Sequence, residues 1–345
     1  MTTMKAVGYV KNLPITEEKS LEDIQVEIPE AKGRDLLVKI SAVAVNPVDY
    51  KVRASSPSES DAHKIIGWDA VGEVVAVGED VEYFSAGDTV YYAGDITRQG
   101  SNAQYQVVDE RIVGKKPNSL SDAEAAAMPL TTITAWELLF DHLNIKKQEA
   151  GNTQKTNEVI LVVGAAGGVG SILIQIAKAV TGATIIATAS REETRNWVTE
   201  LGADYVIDHR EALLPQIQAL GFDQVTHIAS LNNTEGYFDI YPELLAPFGK
   251  LGFIDDPKEK LDVMKLKSKS QSLHIELMYA RSMHNAADID EQHKLLNAVA
   301  ELVDAGYIKT TVANNFGTIN AENLKKAHAL LESGKSIGKI VLEGF

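Results

Sequence analysis

The sequence predicts an α/β protein in two parts, a mostly β unit followed by a doubly wound domain built on a parallel sheet. Three observations predict it. The chain has 345 residues, and at roughly 150 residues per domain that leaves room for two. Its texture changes near Pro129, from short β-rich runs punctuated by Gly, Pro and Asp to a regular alternation of strand and helix. A glycine-rich turn then separates an all-apolar run from an apolar stripe at helical spacing.

Residues 36–45, 71–77 and 89–93 read as strands of the first unit. No regular crossover helix is evident there, so a mostly antiparallel β unit is expected. Residues 159–163 are apolar throughout, as a strand buried on both faces must be. Ile172, Leu173, Ile176, Ala177 and Val180 follow at helical spacing. The alternation continues with a strand at 184–189, a helix at 191–201 closed by Gly202, and a strand at 205–207. A helix at 212–220, a strand at 225–229, a helix at 235–245 and a strand at 251–254 follow, and 273–278 supplies the sixth strand. Such a pattern means a parallel sheet, here six-stranded, with helices on both faces. Then come a helix over 290–305, a β-like run near Thr310, a helix over 321–331 ended by Ser333-Gly334, and an apolar run over 337–342. This tail holds too little for a third core and is expected to fold back on the N-terminal unit.

Composition excludes several function classes. Lys and Arg number 33 against 48 Asp and Glu, a net charge of −15, which repels phosphate backbones and anionic lipid. The densest basic stretch, 265–269, holds three lysines and reads as solvated surface, so nucleic acid is not an expected partner. Zero cysteines remove disulfides, thiolate nucleophiles and every zinc site that needs sulfur, and fit a reducing, cytoplasmic setting. Residues 159–177 carry no charge and are long enough to span a bilayer, but their glycine-rich centre suits a loop, so no membrane partner is expected. Residues 1–14 lack a signal-peptide core.

The strongest chemical signal is the run 158–163 leading into Gly164-Ala165-Ala166-Gly167-Gly168-Val169-Gly170 and then a helix. Small residues let the chain reverse tightly and let backbone N–H groups approach a pyrophosphate at the helix N-terminus. Aligned on Gly167 and Gly170, the first glycine of the dinucleotide pattern is replaced by Ala165. About 20 residues on, at the end of the second strand, an Asp or Glu would accept from the ribose of NAD and repel the extra phosphate of NADP. The sequence has Ala189-Ser190-Arg191 there instead. Ser190 can donate, Arg191 can pair with a 2′-phosphate, Arg195 stands one turn along, and His209 after the third strand can line the same pocket. The missing acid favours NADPH, although the arginines can equally sit exposed beside Glu192 and Glu193.

At Asn46-Pro47-Val48-Asp49-Tyr50-Lys51 the chain resembles the medium-chain dehydrogenase/reductase superfamily. Further matching blocks are Gly67-Trp68-Asp69-Ala70-Val71-Gly72, Phe84-Ser85-Ala86-Gly87-Asp88, the stretch 125–136, the glycine turn and the ending 333–345. Within the superfamily the chain looks most like the quinone oxidoreductase branch, in a subgroup labelled zinc-type alcohol dehydrogenase-like. The resemblance implies a GroES-like domain over 1–128 completed by 280–345, a Rossmann domain over 129–279, an active-site cleft between them, and NADPH. In zinc alcohol dehydrogenases a cysteine stands where Asn46 falls and a histidine where Trp68 falls, with further cysteines completing the sites. Here those ligands are missing, and His63 alone makes no site, so no metal is expected.

Without a Lewis acid nothing lowers the pKa of an alcohol, whereas hydride delivery to a quinone or α,β-unsaturated carbonyl needs only proximity and hydrogen-bond donors at the developing oxyanion. The resemblance places Asn46, Tyr50 and Lys51 beside the nicotinamide as candidate donors, and Thr131 and Thr134 near its amide. Asp49 reads as a turn residue bonded to local backbone, and Trp68 as core or an aromatic lid. Ser230 and Phe253 fall near strand ends, where open α/β sheets bind ligands. The expected function is an NADPH-dependent, zinc-independent quinone oxidoreductase. The alternatives are an enone or enal double-bond reductase and a low-turnover NADPH-binding regulatory protein. Relatives dimerise through the sheet edge, so a homodimer through the strand near 273–278 is expected.

Overall fold

The computed structural model describes residues 2–58 and 62–345. Its first stretch holds β1 (Thr3–Tyr9), β2 (Glu22–Glu27), β3 (Asp35–Val45), α1 (Pro47–Ser55), β4 (Lys64–Ile65), β5 (Asp69–Val77), β6 (Thr89–Tyr92), β7 (Tyr105–Asp109) and β8 (Val113–Lys115). All of these strand pairings are antiparallel: β1 with β2 and β4, β3 with β5 and β7, β5 with β6, and β6 with β8. The helix α1 was not read from the sequence, although no crossover helix joins parallel strands here. Pro47 opens it with a pre-set φ, and the Asp49 carboxylate accepts from the Asn46 N–H at 2.7 Å. The residues it buries are Asp49 and Arg53, so it carries no apolar stripe for a periodicity argument to find.

The helices α2 (Asp122–Ala126) and α3 (Pro129–Trp136) lead through a π-helical turn, Glu137–His142, into the alternating region. There β9 (Val159–Val163), α4 (Gly168–Val180), β10 (Thr184–Thr188), α5 (Glu192–Glu200), β11 (Tyr205–Ile207), α6 (Leu213–Ala219) and β12 (Val225–Ser230) follow one another. The expected helix over 235–245 is instead two single turns, α7 (Thr234–Tyr237) and α8 (Tyr241–Leu244). Pro242 stands in the first turn of α8 and cannot continue a preceding helix. Then β13 (Leu245–Phe253) begins earlier than expected and carries an irregularity around Phe248, whose φ is 61°. The last strand, β14 (Ser272–Ile275), stops short of the expected Met278. The six strands form one parallel sheet in the order β11-β10-β9-β12-β13-β14. Every residue of β9 is buried, which is why its sequence is Val-Ile-Leu-Val-Val. The core on one side of the sheet joins Leu161, Ile186, Ile228 and Leu251 to Ile217, Phe238 and Leu244.

The tail adds α9 (Ala280–Met283), α10 (Glu291–Asp304), β15 (Val312–Asn315), α11 (Ala321–Glu332) and β16 (Lys339–Glu343). It does fold back: β16 pairs antiparallel with β3, and β15 runs parallel to β16, in a seven-stranded sheet. The chain accordingly divides into one unit of Met1–Ile133, Tyr279–Gly306 and Thr310–Phe345, and a second of Thr134–Met278 with Tyr307–Lys309. Among the described residues no helix is long and apolar enough to cross a membrane.

Candidate active site

In the second unit, the turn after β9 is shaped for a phosphate. Gly164 adopts φ 80°, open to glycine but strained for a side chain. A Cβ on Gly170 would lie 2.4 Å from the carbonyl oxygen of Ala165, so only glycine lets α4 approach the end of β9 this closely. Ala165 and Gly170 are buried, while Ala166, Gly167, Gly168 and Val169 are half-exposed. The first turn of α4 presents N–H groups with no partner inside the helix, at its positive end. These residues fit a dinucleotide pyrophosphate.

The neighbourhood of Ser190 is richer than the sequence alone indicated. Ser190 is half-buried, and Arg191 and His209 are exposed. Arg195, expected to reach a phosphate, instead donates to the carbonyls of Ala189 (3.2 Å) and Val206 (3.2 Å), where β10 and β11 end. Ala189 lies just past the end of β10 and Val206 within the edge strand β11, and a guanidinium one helical turn into α5 is within reach of both carbonyls. The arginine missed from sequence is Arg210. It donates to the Ser190 carbonyl (3.1 Å) and is clamped to Asp208, with its closest contact at 2.6 Å. The Arg210 guanidinium bonded to Asp208 holds that carboxyl down at about 2. Ser230, expected to face the cofactor, is fully buried. Its hydroxyl shares hydrogen bonds with Tyr241 (2.7 Å) and Thr234 (2.8 Å), and Thr234 is in turn bonded to Asp255. The sequence offered no sign of this, because the partners come from α7 and α8, the broken helix. Phe253 is buried at the end of β13.

In the first unit a polar cluster lies under α1. Asn46, 1% exposed, donates through Nδ2 to Asp69 Oδ2 (2.7 Å), and its Oδ1 accepts from the Lys339 ammonium. Lys339 also donates to Asp69 (2.8 Å) and to the Val45 carbonyl (3.3 Å). The other Asp69 oxygen accepts from Leu130 N in the first turn of α3 (2.7 Å). Both side-chain polar atoms of Asn46, expected to touch cofactor or substrate, are thus taken up inside the protein. Asp49 is buried, and that burial pushes its carboxyl up to about 7. Tyr50 is half-buried and Lys51 exposed on the same helix. Thr131 is buried and donates to Met128 O (3.2 Å), and Thr134 is buried too. Trp68 is core: its indole N–H donates to Asp95 O (3.1 Å) and its ring meets Tyr279 edge-on at 6.0 Å. One signal for the missed pair was available. Asp69 and Lys339 are opposite charges set in otherwise apolar strand runs, the pattern of a buried ion pair.

This donor set does not fit zinc. An amide and an indole are poor ligands, no cysteine exists in the chain, and the Lys339 ammonium lies against Asn46 where a second cation would be repelled. Among the described residues no group of three or more His, Asp or Glu is arranged to hold a metal ion.

A mostly antiparallel β unit and a parallel six-stranded sheet with a phosphate-shaped first turn define a two-unit oxidoreductase of the dehydrogenase type. Residues 32–118 match the alcohol dehydrogenase GroES-like domain, and residues 201–342 match the zinc-binding dehydrogenase family. A zinc-type alcohol dehydrogenase-like protein of Staphylococcus aureus (strain MSSA476) is 40% identical over 339 residues, 98% of this chain and 99% of that one. A putative zinc-dependent alcohol dehydrogenase from Rhizobium etli CFN 42, solved as a crystal structure, is 50% identical at a TM-score of 0.95, covering 100% of this chain and 99% of the other. The quinone oxidoreductase of Escherichia coli, solved in complex with NADPH, shares the fold at 23% identity and a TM-score of 0.80, covering 99% and 100%. The chain belongs to the medium-chain dehydrogenase/reductase superfamily, with a GroES-like domain and a Rossmann domain.

Proposed function

We propose that this protein is an NADPH-dependent reductase that passes hydride to quinones and related conjugated carbonyls without a metal ion. The observation that carries the reading is the buried donor set of Asn46, Trp68, Asp69 and Lys339, which leaves no ligand field for a Lewis acid. Alcohol oxidation then lacks a means of lowering the hydroxyl pKa, whereas an electron-poor acceptor needs none. When bound, the reduced nicotinamide supplies the hydride.

The chain supplies binding and proton placement. The turn from Gly164 to Gly170 holds the pyrophosphate. Ser190, Arg191, His209 and Arg210 take the 2′-phosphate, with Asp208 fixing the Arg210 fork. Thr131 and Thr134 serve the nicotinamide amide. Tyr50 and Lys51 stabilise charge developing on the acceptor oxygen, and Asn46 acts as a positioning residue. The edge strand β14 makes a homodimer.

The test is NADPH oxidation with 9,10-phenanthrenequinone, set beside NADH and a 2-alkenal, before and after chelator treatment. Quinone turnover that prefers NADPH and ignores the chelator is expected. Turnover of the alkenal alone moves the protein to the double-bond reductases. Binding of NADPH with no turnover of any acceptor sinks the enzymatic reading in favour of a regulatory binding protein.

A further inference from the structure

The acid that the end of β10 lacks is supplied from β11. Asp208 follows directly on β11, and the Ala189 N–H donates to the Ile207 carbonyl at 3.0 Å, so the two strand ends lie side by side. Arg210 bridges them. Its Nη2 donates to the Ser190 carbonyl (3.1 Å) and to Asp208 Oδ2 (2.6 Å), which puts the carboxylate two hydrogen bonds from Ser190. Ser190 stands where a dinucleotide fold meets the adenosine ribose and its 2′ substituent.

The carboxylate is fixed there by its own turn. Asp208 Oδ1 accepts from the Arg210 backbone N–H (2.9 Å) and from Nε (3.1 Å), and Oδ2 accepts from Nε (3.2 Å) as well as from Nη2. From α6, the Gln216 amide accepts from the Asp208 N–H (2.8 Å) and donates to the Asp208 carbonyl (2.9 Å). Asp208 is thus held in place when a ligand arrives. It has no capacity left for a ribose hydroxyl, because a carboxylate offers about four lone-pair sites and Arg210 takes them. What remains to it is charge. Arg210 holds the carboxyl down at about 2, so it is ionised at any working pH. The Arg210 side chain stays exposed and open to a ligand, but its cation is already matched.

The surroundings hold no surplus of positive charge. Residues 189–195 and 208–211 contain three arginines, Arg191, Arg195 and Arg210, against four carboxylates, Asp208, Glu192, Glu193 and Glu211. A 2′-phosphate dianion gains from each cation and loses to each anion near it, whereas a free 2′-hydroxyl is indifferent to both.

We propose that Asp208 is the specificity-determining residue of the cofactor site: by matching the Arg210 charge beside Ser190 it restrains the preference for NADPH, so that NADH is accepted as a second cofactor. This rests on the dinucleotide reading of the glycine turn. The same carboxylate orients the guanidinium and limits what that guanidinium gains from a phosphate.

The test is fluorescence titration of the full chain with NADPH and with NADH, in the wild type, Asp208→Asn and Arg210→Gln. The wild type should bind both, NADPH within about tenfold of NADH. Asp208→Asn, whose amide oxygen keeps an acceptor for the Arg210 N–H, should bind NADPH about tenfold more tightly and NADH as before. That gain should shrink as salt rises from about 0.01 M to about 0.15 M, because a charge is what has been removed. Arg210→Gln should lose about tenfold in affinity for NADPH alone. A wild type that takes NADPH and excludes NADH overturns the proposal, and so does an NADPH-to-NADH ratio that Asp208→Asn leaves unchanged. Weaker binding of both dinucleotides by Asp208→Asn overturns it too, because the carboxylate then only builds the turn. A wild type that binds neither dinucleotide sinks the dinucleotide reading and this proposal together, whereas failure with both bound falls on the proposal alone.

Discussion

Arg53 is 2% exposed, and its guanidinium donates to the Leu13 carbonyl, the Glu332 carboxylate and Nδ1 of His328 (3.4 Å). A charge so buried holds only while each partner is present. His328 must therefore stay neutral, and burial, with the Arg53 charge acting the same way, depresses its pKa to about 3. His227 follows the same rule at about 4, through burial and then Lys250. In the unfolded chain both imidazoles take up a proton near pH 6.5. Stability is thus present above that value and lost progressively as pH falls through the window down to the folded pKa values. His328→Gln keeps an acceptor for Arg53 and removes its titration. The denaturant midpoint of the variant should fall less steeply between about pH 6 and pH 4 than that of the wild type, a difference of up to about 3 kcal/mol at the acid end. Equal slopes would show that His328 is not held neutral. Asp49 acts with the opposite sign: its raised pKa makes stability decline as pH rises from about 4 to about 7.

At the level of elements, the glycine turn is the point where packing and binding depend on the same atoms. A Cβ on Gly170 would meet backbone of Ala165 at 2.4 to 2.6 Å, and backbone cannot swing aside as a side chain can. Gly170→Ala should lower stability by roughly 1–3 kcal/mol and weaken dinucleotide binding at least tenfold, checked by thermal denaturation and fluorescence titration. Unchanged binding would mean that the position of α4 does not set the phosphate contacts. The same contrast explains what could be read from the sequence. Strands β9 and β10 were legible because burial on both faces demands apolar runs, and the turn was legible because close approach demands glycine. The helix α1 was not, because its buried face is Asp49 and Arg53. The turns α7 and α8 share the spacing of one helix, and Pro242 is the residue that divides them. Around the site, Arg210 and Lys339 were missed because their partners, Ser190 and Asp69, are distant in sequence and brought close only by strand pairing.

For the whole molecule, the exposed end of the six-stranded sheet poses the question of assembly. β14 is the terminal strand of the sheet order. Ile275 is 67% exposed and Leu277 53% exposed, an apolar edge of the kind that pairs with another strand unless something blocks it. Pairing of β14 with its own copy about a two-fold axis would extend the sheet and cover those side chains. Opposing this, each copy brings a net charge of −15, and like charges facing across an interface repel most when unscreened. The screening length shrinks from about 30 Å at 0.01 M salt to about 8 Å at 0.15 M, so the proposed dimer should tighten with salt over that range. Light scattering at micromolar protein should show a dimer at the higher salt and a rising monomer fraction at the lower. Ile275→Lys, which adds a charge at the edge far in sequence from the glycine turn, should give a monomer that still binds NADPH. A wild type that stays monomeric at every salt concentration would leave the apolar edge without this explanation, because screening removes the one long-range force that opposes the pairing.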